Sequence, residues 1–118
     1  MKPLARVTPA TVDVLRVLLE EDGIWGMLVI KRTARPAGSV YPILERLESA
    51  GWVASTWEPD TERSGPRRRL YELTRDGAVA AQATVAQFEE ARQARKDTGV
   101  AATRPAGQAT GRLAGAGA

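Results

Sequence analysis

The chain has 118 residues, which suits one small domain, and its 17 Lys and Arg residues exceed its 14 Asp and Glu residues for a formal net charge of +3. It contains no Cys and no His, which excludes disulfides, thiolate or Ser-His-Asp catalysis, and metal sites built on either residue. The remaining carboxylates have no nucleophile to work with, so we expect no enzymatic activity and no cofactor. The composition indicates a mildly basic binding module.

The sequence predicts neither a membrane span nor a signal peptide. The longest purely aliphatic run, Met27–Ile30, is far shorter than the roughly 18 residues that a span requires. Residues 1–11 contain Lys2 and Arg6 but no apolar block after them, so they do not have the form of a secretion signal. We therefore expect a cytoplasmic protein.

Two helices are predicted in the first third of the chain. A hydroxyl N-cap followed by proline, Thr8-Pro9, starts the first helix, which runs to about Glu21. Its large apolar residues recur with helical spacing on one stripe: Val14, Leu15, Leu18 and Leu19. The second helix covers Trp25–Thr33, and Pro36 forces a turn after it because the residue before a proline avoids helical geometry.

The third helix has the clearest apolar pattern and ends at Gly51. Four residues follow the i, i+3, i+4, i+7 spacing of a core-facing stripe: Val40, Ile43, Leu44 and Leu47. The start of this helix has two solutions. With Ser39 as N-cap, Pro42 falls in the first turn, whereas a start at Pro36 places Pro42 inside the helix.

Two strands and a last helix follow. Residues 52–58 are rich in aromatic and β-branched side chains, residues 59–67 form a loop, and residues 68–73 return as a second strand. Thr74 caps a last helix that ends at about Lys96. The order α-α-α-β-β-α is mainly α with a small β-hairpin and is typical of a winged helix-turn-helix.

The chain therefore divides into three predicted parts. Residues 1–74 form the winged helix-turn-helix domain and residues 75–96 form a C-terminal helix. In residues 97–118, 12 of 22 are Gly or Ala. That composition buries too little apolar surface to offset the entropy of ordering the segment, so we expect a disordered tail.

Three motifs resemble the PadR family of bacterial transcriptional regulators. The first is GSVYPILERLESAGWV at Gly38–Val53, and the second is GPRRRLYELT at Gly65–Thr74. The third joins Trp25-Gly26 to the IKRT sequence at Ile30–Thr33. The pairing of the first two motifs is specific, and the resemblance covers about residues 8–77.

The resemblance implies a DNA-binding protein, usually a repressor, that binds a near-palindromic operator as a homodimer. It also implies dimerisation through the last helix, whose heptad-like stripe gives the expected interface: Ala78, Ala81, Val85 and Phe88. Several relatives respond to aromatic small molecules. A sensor of an aromatic effector is therefore one alternative function, although Phe88 is the only aromatic residue of this helix. A winged-helix protein-interaction module without DNA binding is the other.

Basic residues are concentrated just before the third helix and in the predicted wing. Both segments lie beside the DNA backbone in a winged helix, which favours phosphate contacts over an ordinary solvated surface. On the third helix, Tyr41 either contacts DNA or half-buries its ring, and Arg46 either reads a guanine edge or pairs with a neighbouring Glu. The predicted DNA-binding residues are Lys31, Arg32, Arg35, Ser39, Tyr41, Pro42, Arg46, Arg63, Arg67, Arg68 and Arg69.

Overall fold

The computed structural model describes residues 1–59, 65 and 67–103, with the backbone alone for residues 98–103. Arg63 and the part of the predicted tail beyond Thr103 lie outside the described residues. The elements in chain order are α1 (Pro9–Glu20), β1 (Ile24–Trp25), α2 (Gly26–Thr33), α3 (Ala37–Ser49), β2 (Val53–Trp57), β3 (Arg69–Leu73) and α4 (Arg75–Thr103). The chain divides into two compact units, Met1–Val85 and Ala86–Ala118.

Helices α1, α2 and α3 enclose the core of the first unit. The predicted start of α1 is confirmed by a reciprocal capping box, in which Thr8 Oγ1 accepts from the Thr11 N–H at 3.2 Å and Thr11 Oγ1 accepts from the Thr8 N–H at 3.3 Å. The core combines apolar residues of all three helices with Trp52 and Tyr71. Its largest fully buried side chains are Leu15, Leu18, Leu44, Leu47, Val12, Val14, Val29 and Val40. The four α3 residues predicted to face inward are therefore confirmed as core residues.

Helix α3 begins after Pro36, the second of the two predicted solutions. Pro36 is the N-cap, and its carbonyl accepts from the Ser39 N–H at 2.9 Å and the Val40 N–H at 3.1 Å. Pro42 consequently lies inside the helix. Its ring nitrogen carries no hydrogen, so the Gly38 carbonyl loses its usual intrahelical donor. Gly38 is exposed, so water can replace the missing donor.

The other end of α3 is closed by Gly51, as predicted. The Gly51 N–H donates to the Glu48 carbonyl at 3.1 Å, and the Trp52 N–H donates to the Leu47 carbonyl at 2.9 Å. With Gly51 at φ +83°, this pair of bonds is a Schellman motif, which requires the left-handed backbone that glycine adopts without strain. The motif turns the chain directly into β2.

The predicted hairpin is confirmed by the antiparallel pairing of β2 with β3. Strand β1, which was not predicted, adds a third antiparallel strand, and the order in the sheet is β1-β3-β2. Strand β1 pairs Ile24 with Tyr71 and Trp25 with Leu70 on β3. Strand β2 pairs with the other edge of β3 in the register that sets Ser55 opposite Tyr71. A two-residue strand is too short to show an alternating pattern. The second helix, with a predicted start at Trp25, begins one residue later, at Gly26.

Helix α4 begins with the predicted threonine cap, since Thr74 Oγ1 accepts from the Gly77 N–H at 2.9 Å. The same hydroxyl donates to the Gly51 carbonyl at 3.0 Å, so the cap also fixes α4 to the end of α3. The helix continues to Thr103, past its predicted end at Lys96. In the second unit, the side chains from Ala86 to Asp97 are exposed apart from Phe88, which is half-buried.

Candidate nucleic-acid interface

Helix α3 presents one polar face opposite its four core residues. Ser39 and Pro42 are half-buried on this helix, whereas Tyr41, Glu45 and Arg46 are exposed. The Arg46 side chain makes no ion pair or hydrogen bond with any part of the chain that the structure describes. Its guanidinium is therefore available to an external acceptor, and the predicted pairing with a neighbouring Glu does not occur among these residues.

Tyr41 packs against the start of α2 while keeping 37% of its surface exposed. A Cβ atom built on Gly26 would lie 2.9 Å from Tyr41 Cε1 and 3.2 Å from its hydroxyl oxygen. Gly26 thus permits the ring to approach the backbone where β1 becomes α2. Both predicted roles of Tyr41 are compatible with this position, because its packed edge fixes the ring and its other edge faces solvent.

Two arginines, Arg32 in the last turn of α2 and Arg35 after it, are held by carboxylates of α1 and of its C-cap residue Glu21. Arg32 bonds to Glu20 and, at 2.9 Å, to Glu21. Arg35 Nε lies 2.8 Å from Asp13 Oδ2. Sequence reasoning did not identify these three carboxylates as partners, since they lie on a different helix.

The turn between α2 and α3, next to these arginines, contains one residue with an unusual backbone conformation. Ala34, which ends α2, has φ +57° and ψ +29° in the left-handed region. The Thr33 hydroxyl donates to the Val29 carbonyl at 2.8 Å and accepts from the Arg35 N–H at 3.3 Å, which helps to hold the turn. The exposed Lys31 makes no side-chain bond among the described residues.

The predicted wing arginines occupy three different environments. The guanidinium carbon of Arg68 lies 3.9 Å from the centroid of the Trp25 ring, so this side chain fastens β3 to β1. The guanidinium of Arg69 lies 5.3 Å from the centroid of the Trp57 ring. Arg67 is exposed ahead of β3. Arg68 and Arg69 are half-buried, so Arg67 is the exposed member of the three.

Glu48 and Tyr71 form a polar cluster with Arg69 and Ser55 between α3 and the sheet. The Ser55 hydroxyl donates to Glu48 Oε2 at 2.5 Å, and Arg69 Nη2 lies 3.6 Å from the same oxygen. Burial raises the pKa of the Tyr71 hydroxyl above its ordinary value, while the Arg69 guanidinium acts in the opposite direction. The cluster ties the orientation of α3 to the sheet, and sequence reasoning did not identify Glu48 as part of it.

The residues of the predicted dimer stripe also differ in exposure. Ala81 is completely buried in the core of its own chain. Ala78, Val85 and Phe88 are half-buried. Val79 is 66% exposed and lies on a different side of α4 from Ala81.

The described residues contain no group of three or more His, Cys, Asp or Glu side chains that could hold a metal ion. None of the helices within the described ranges has the length and apolar composition needed to cross a membrane.

Comparison with known proteins identifies the family. The model of the PadR-like family of transcriptional regulators matches residues 14–83, a range that contains the second half of α1, all of α2 and α3, the sheet and the start of α4. The chain belongs to this family. A search of curated proteins finds no match.

Solved structures of transcriptional regulators share the fold. A PadR-like transcription factor from Bacteroides fragilis has a TM-score of 0.59 and 22% identity, and the match covers 75% of this chain and 87% of that one. BpsR from Bordetella bronchiseptica, whose DNA binding is regulated by 6-hydroxynicotinic acid, has a TM-score of 0.62, 27% identity and coverage of 78% and 67%. A probable regulator from Pseudomonas aeruginosa has a TM-score of 0.62, 28% identity and coverage of 75% and 64%. This PadR-like regulator therefore has a DNA-binding winged-helix fold.

Proposed function

We propose that this PadR-like regulator is a cytoplasmic repressor that binds a near-palindromic operator as a homodimer. The observation that carries the proposal is the outward face of α3. This helix buries one side in the core and leaves Tyr41 and Arg46 exposed on the other. An α-helix with such a face fits the major groove, where side chains read the edges of base pairs.

Each set of predicted residues has a distinct role in this proposal. Tyr41 and Arg46, together with Ser39 and Pro42 beside them, approach the bases. Arg67, ahead of the wing strand β3, approaches the phosphate backbone. Phosphate contacts fix the position of the protein on the duplex, and base contacts determine which sequence it prefers.

The ion-paired arginines have a smaller proposed share of the affinity. Arg32 and Arg35 must exchange their carboxylate partners, which lie on α1 or directly after it, for phosphates before they release counterions from DNA. Exposed ion pairs of this kind are worth only about 0.2–1 kcal/mol, so the exchange remains accessible. We therefore assign these two residues a supporting role beside Lys31, whose side chain makes no bond among the described residues.

Selection of duplexes from a random DNA pool, followed by titration at several salt concentrations, tests the proposal. Arg46→Ala should reduce the preference for the selected operator over random DNA, because a good bidentate base contact is worth about 1–3 kcal/mol of discrimination. Arg67→Ala should instead weaken binding to both duplexes and lower the slope of log affinity against log salt by about 0.9 for each lost contact. If the pool yields no preferred sequence, the proposal is wrong.

Control by an aromatic effector is a second proposal, supported by the similarity to BpsR. The three tryptophans of the chain give a direct readout, since Trp25 and Trp57 each lie against a predicted DNA-binding arginine. A hydroxylated aromatic acid that binds should change the tryptophan fluorescence and release the selected operator at the same concentration. A fluorescence change without release of DNA would contradict the effector role.

A further inference from the structure

Residues 1–7, which precede α1 and are called the arm below, are attached to the end of α3. The Lys2 N–H donates to the Ala50 carbonyl at 2.8 Å. The indole Nε1–H of Trp52 donates to the Lys2 carbonyl at 2.7 Å. Because Trp52 is itself a core residue, these bonds fix the position of the arm relative to α3.

The arm and α3 enclose an open groove of about 550 Å³. One wall is formed by the arm, from Lys2 to Arg6, and the other by the α3 residues Pro42, Arg46 and Ser49. These three α3 residues follow the i, i+4, i+7 spacing of a single helix face. The groove therefore runs along the polar side of the same helix that carries the proposed base contacts.

The groove is positively charged. Lys2, Arg6 and Arg46 line it, with Glu45 as the acid among its described lining residues. The side chains of Lys2 and Arg6 are exposed and, like that of Arg46, make no ion pair or hydrogen bond within the described ranges. Arg32, Arg35 and Arg69 differ in this respect, since each lies beside a carboxylate of the chain.

Cations without internal partners contribute most to binding a polyanion, because they have no ion pair to give up and release counterions in full. Two such cations, Lys2 and Arg6, border the polar side of α3 from the arm. DNA seated on this side of α3 brings a phosphate strand past the mouth of the groove, since the major groove is about 12 Å wide and is bordered by both backbones.

We infer that the arm is a further DNA-contacting element, in which Lys2 and Arg6 bind phosphates of the strand that borders the major groove occupied by α3. The inference rests on the proposed function and adds two residues that the motifs of the recognition helix and wing do not include. The hydrogen bonds that join Lys2 to Ala50 and Trp52 hold the arm in place before DNA binds, which lowers the entropy lost when its cations bind phosphates.

The test compares Lys2→Ala/Arg6→Ala with the charge-conserving control Lys2→Arg/Arg6→Lys. Affinity for the selected operator and for a random duplex is measured across a range of salt concentrations. The alanine variant should bind both duplexes more weakly by the same factor, and its salt slope should fall by about two units per protomer, at about 0.9 for each phosphate contact. The control should keep the wild-type slope. Thermal melts should match, because neither side chain makes an ion pair or hydrogen bond within the described residues.

The outcomes separate this inference from the function on which it rests. An unchanged salt slope in the alanine variant, with wild-type binding still sensitive to Arg46→Ala, overturns the role of the arm alone. A loss confined to the operator also overturns it, because the arm would then read bases rather than phosphates. Failure of the wild-type protein to bind either duplex overturns both.

Discussion

Gly77 lies where the first turn of α4 meets the backbone of Trp52, the residue before β2. A Cβ atom at this position would lie 1.9 Å from the Trp52 carbonyl oxygen and 2.7 Å from its carbon. Both atoms belong to the backbone, so no side-chain rotation relieves the overlap. The closeness follows from the bonds that Thr74 makes to the end of α3.

Gly77→Ala should therefore destabilise the protein severely, by more than about 4 kcal/mol, because either α4 or the turn that leads into β2 must move. Gly38→Ala is the matched control. Gly38 is exposed in α3 with nothing within 4 Å of its built Cβ atom, and alanine there should stabilise the helix by up to about 1 kcal/mol. Urea unfolding followed by circular dichroism measures both changes. Equal stability of the two variants would refute the close contact at Gly77.

Individual side chains show which contacts a sequence can predict. The Thr8 and Thr74 caps and the Gly51 turn were predictable, because each is a local pattern within a few residues. The partners of Arg32 and Arg35 were not, since Glu20 and Asp13 lie 12 and 22 residues earlier in the chain. Pairing at that separation depends on how α1 and α2 pack, and the apolar spacing of either helix does not specify it.

Strand β1 is the element that joins the wing to the helices. It pairs with β3 through Trp25 and Leu70, and Arg68 stacks on the Trp25 ring. Arg68 Nε is buried without a hydrogen-bond partner among the described residues, so the contact with the ring is what compensates for its burial. The orientation of the wing relative to α2 therefore depends on this stack.

A double-mutant cycle of Trp25→Leu and Arg68→Met measures the stack, since both replacements keep apolar bulk. We expect a favourable coupling of about 0.5–2 kcal/mol in unfolding free energy, the range for a cation over an aromatic ring. As a control, the cycle of Trp57→Leu and Arg69→Met should give a smaller value, because that separation is longer, at 5.3 Å. A coupling near zero for the first pair would show that Arg68 does not hold the wing.

The predictability of whole elements depended on their length. The apolar stripes predicted for α1 and α3 face the core, because several successive turns of each helix repeat the same pattern of buried residues. Strand β1 has only two residues, so the sequence contains no alternating pattern that could predict it. Its pairing with β3 in the structure identifies it. The apolar spacing of α3 is compatible with both candidate starts. The structure shows the start at Pro36, where the carbonyl accepts hydrogen bonds from two N–H groups.

In the proposed dimer, the association of the two chains depends on α4. In the second unit the described side chains from Ala86 to Asp97 are exposed, with Phe88 the half-buried exception. A single helix with such exposure is only marginally stable in water, and packing against a partner helix is the usual source of its stability. Since Ala81 is committed to the core of its own chain, we propose that Phe88 supplies the principal apolar contact, with Val85 one turn before it.

Phe88→Glu should convert the dimer to a monomer, because it would place one carboxylate of each chain in an apolar contact. Gln87→Glu is the matched control, since it adds the same charge at the adjacent, exposed position. Sedimentation velocity should show dimers for the wild type and the control, and monomers for Phe88→Glu at the same concentration. Binding to a two-half-site operator should weaken for the monomer, because the second half-site no longer gains from the effective concentration supplied by the first. Binding to a single half-site should remain unchanged. If Phe88→Glu remained a dimer, the interface would lie on another surface of the chain. If Phe88→Glu lost binding to the single half-site, the substitution would have damaged the winged helix itself.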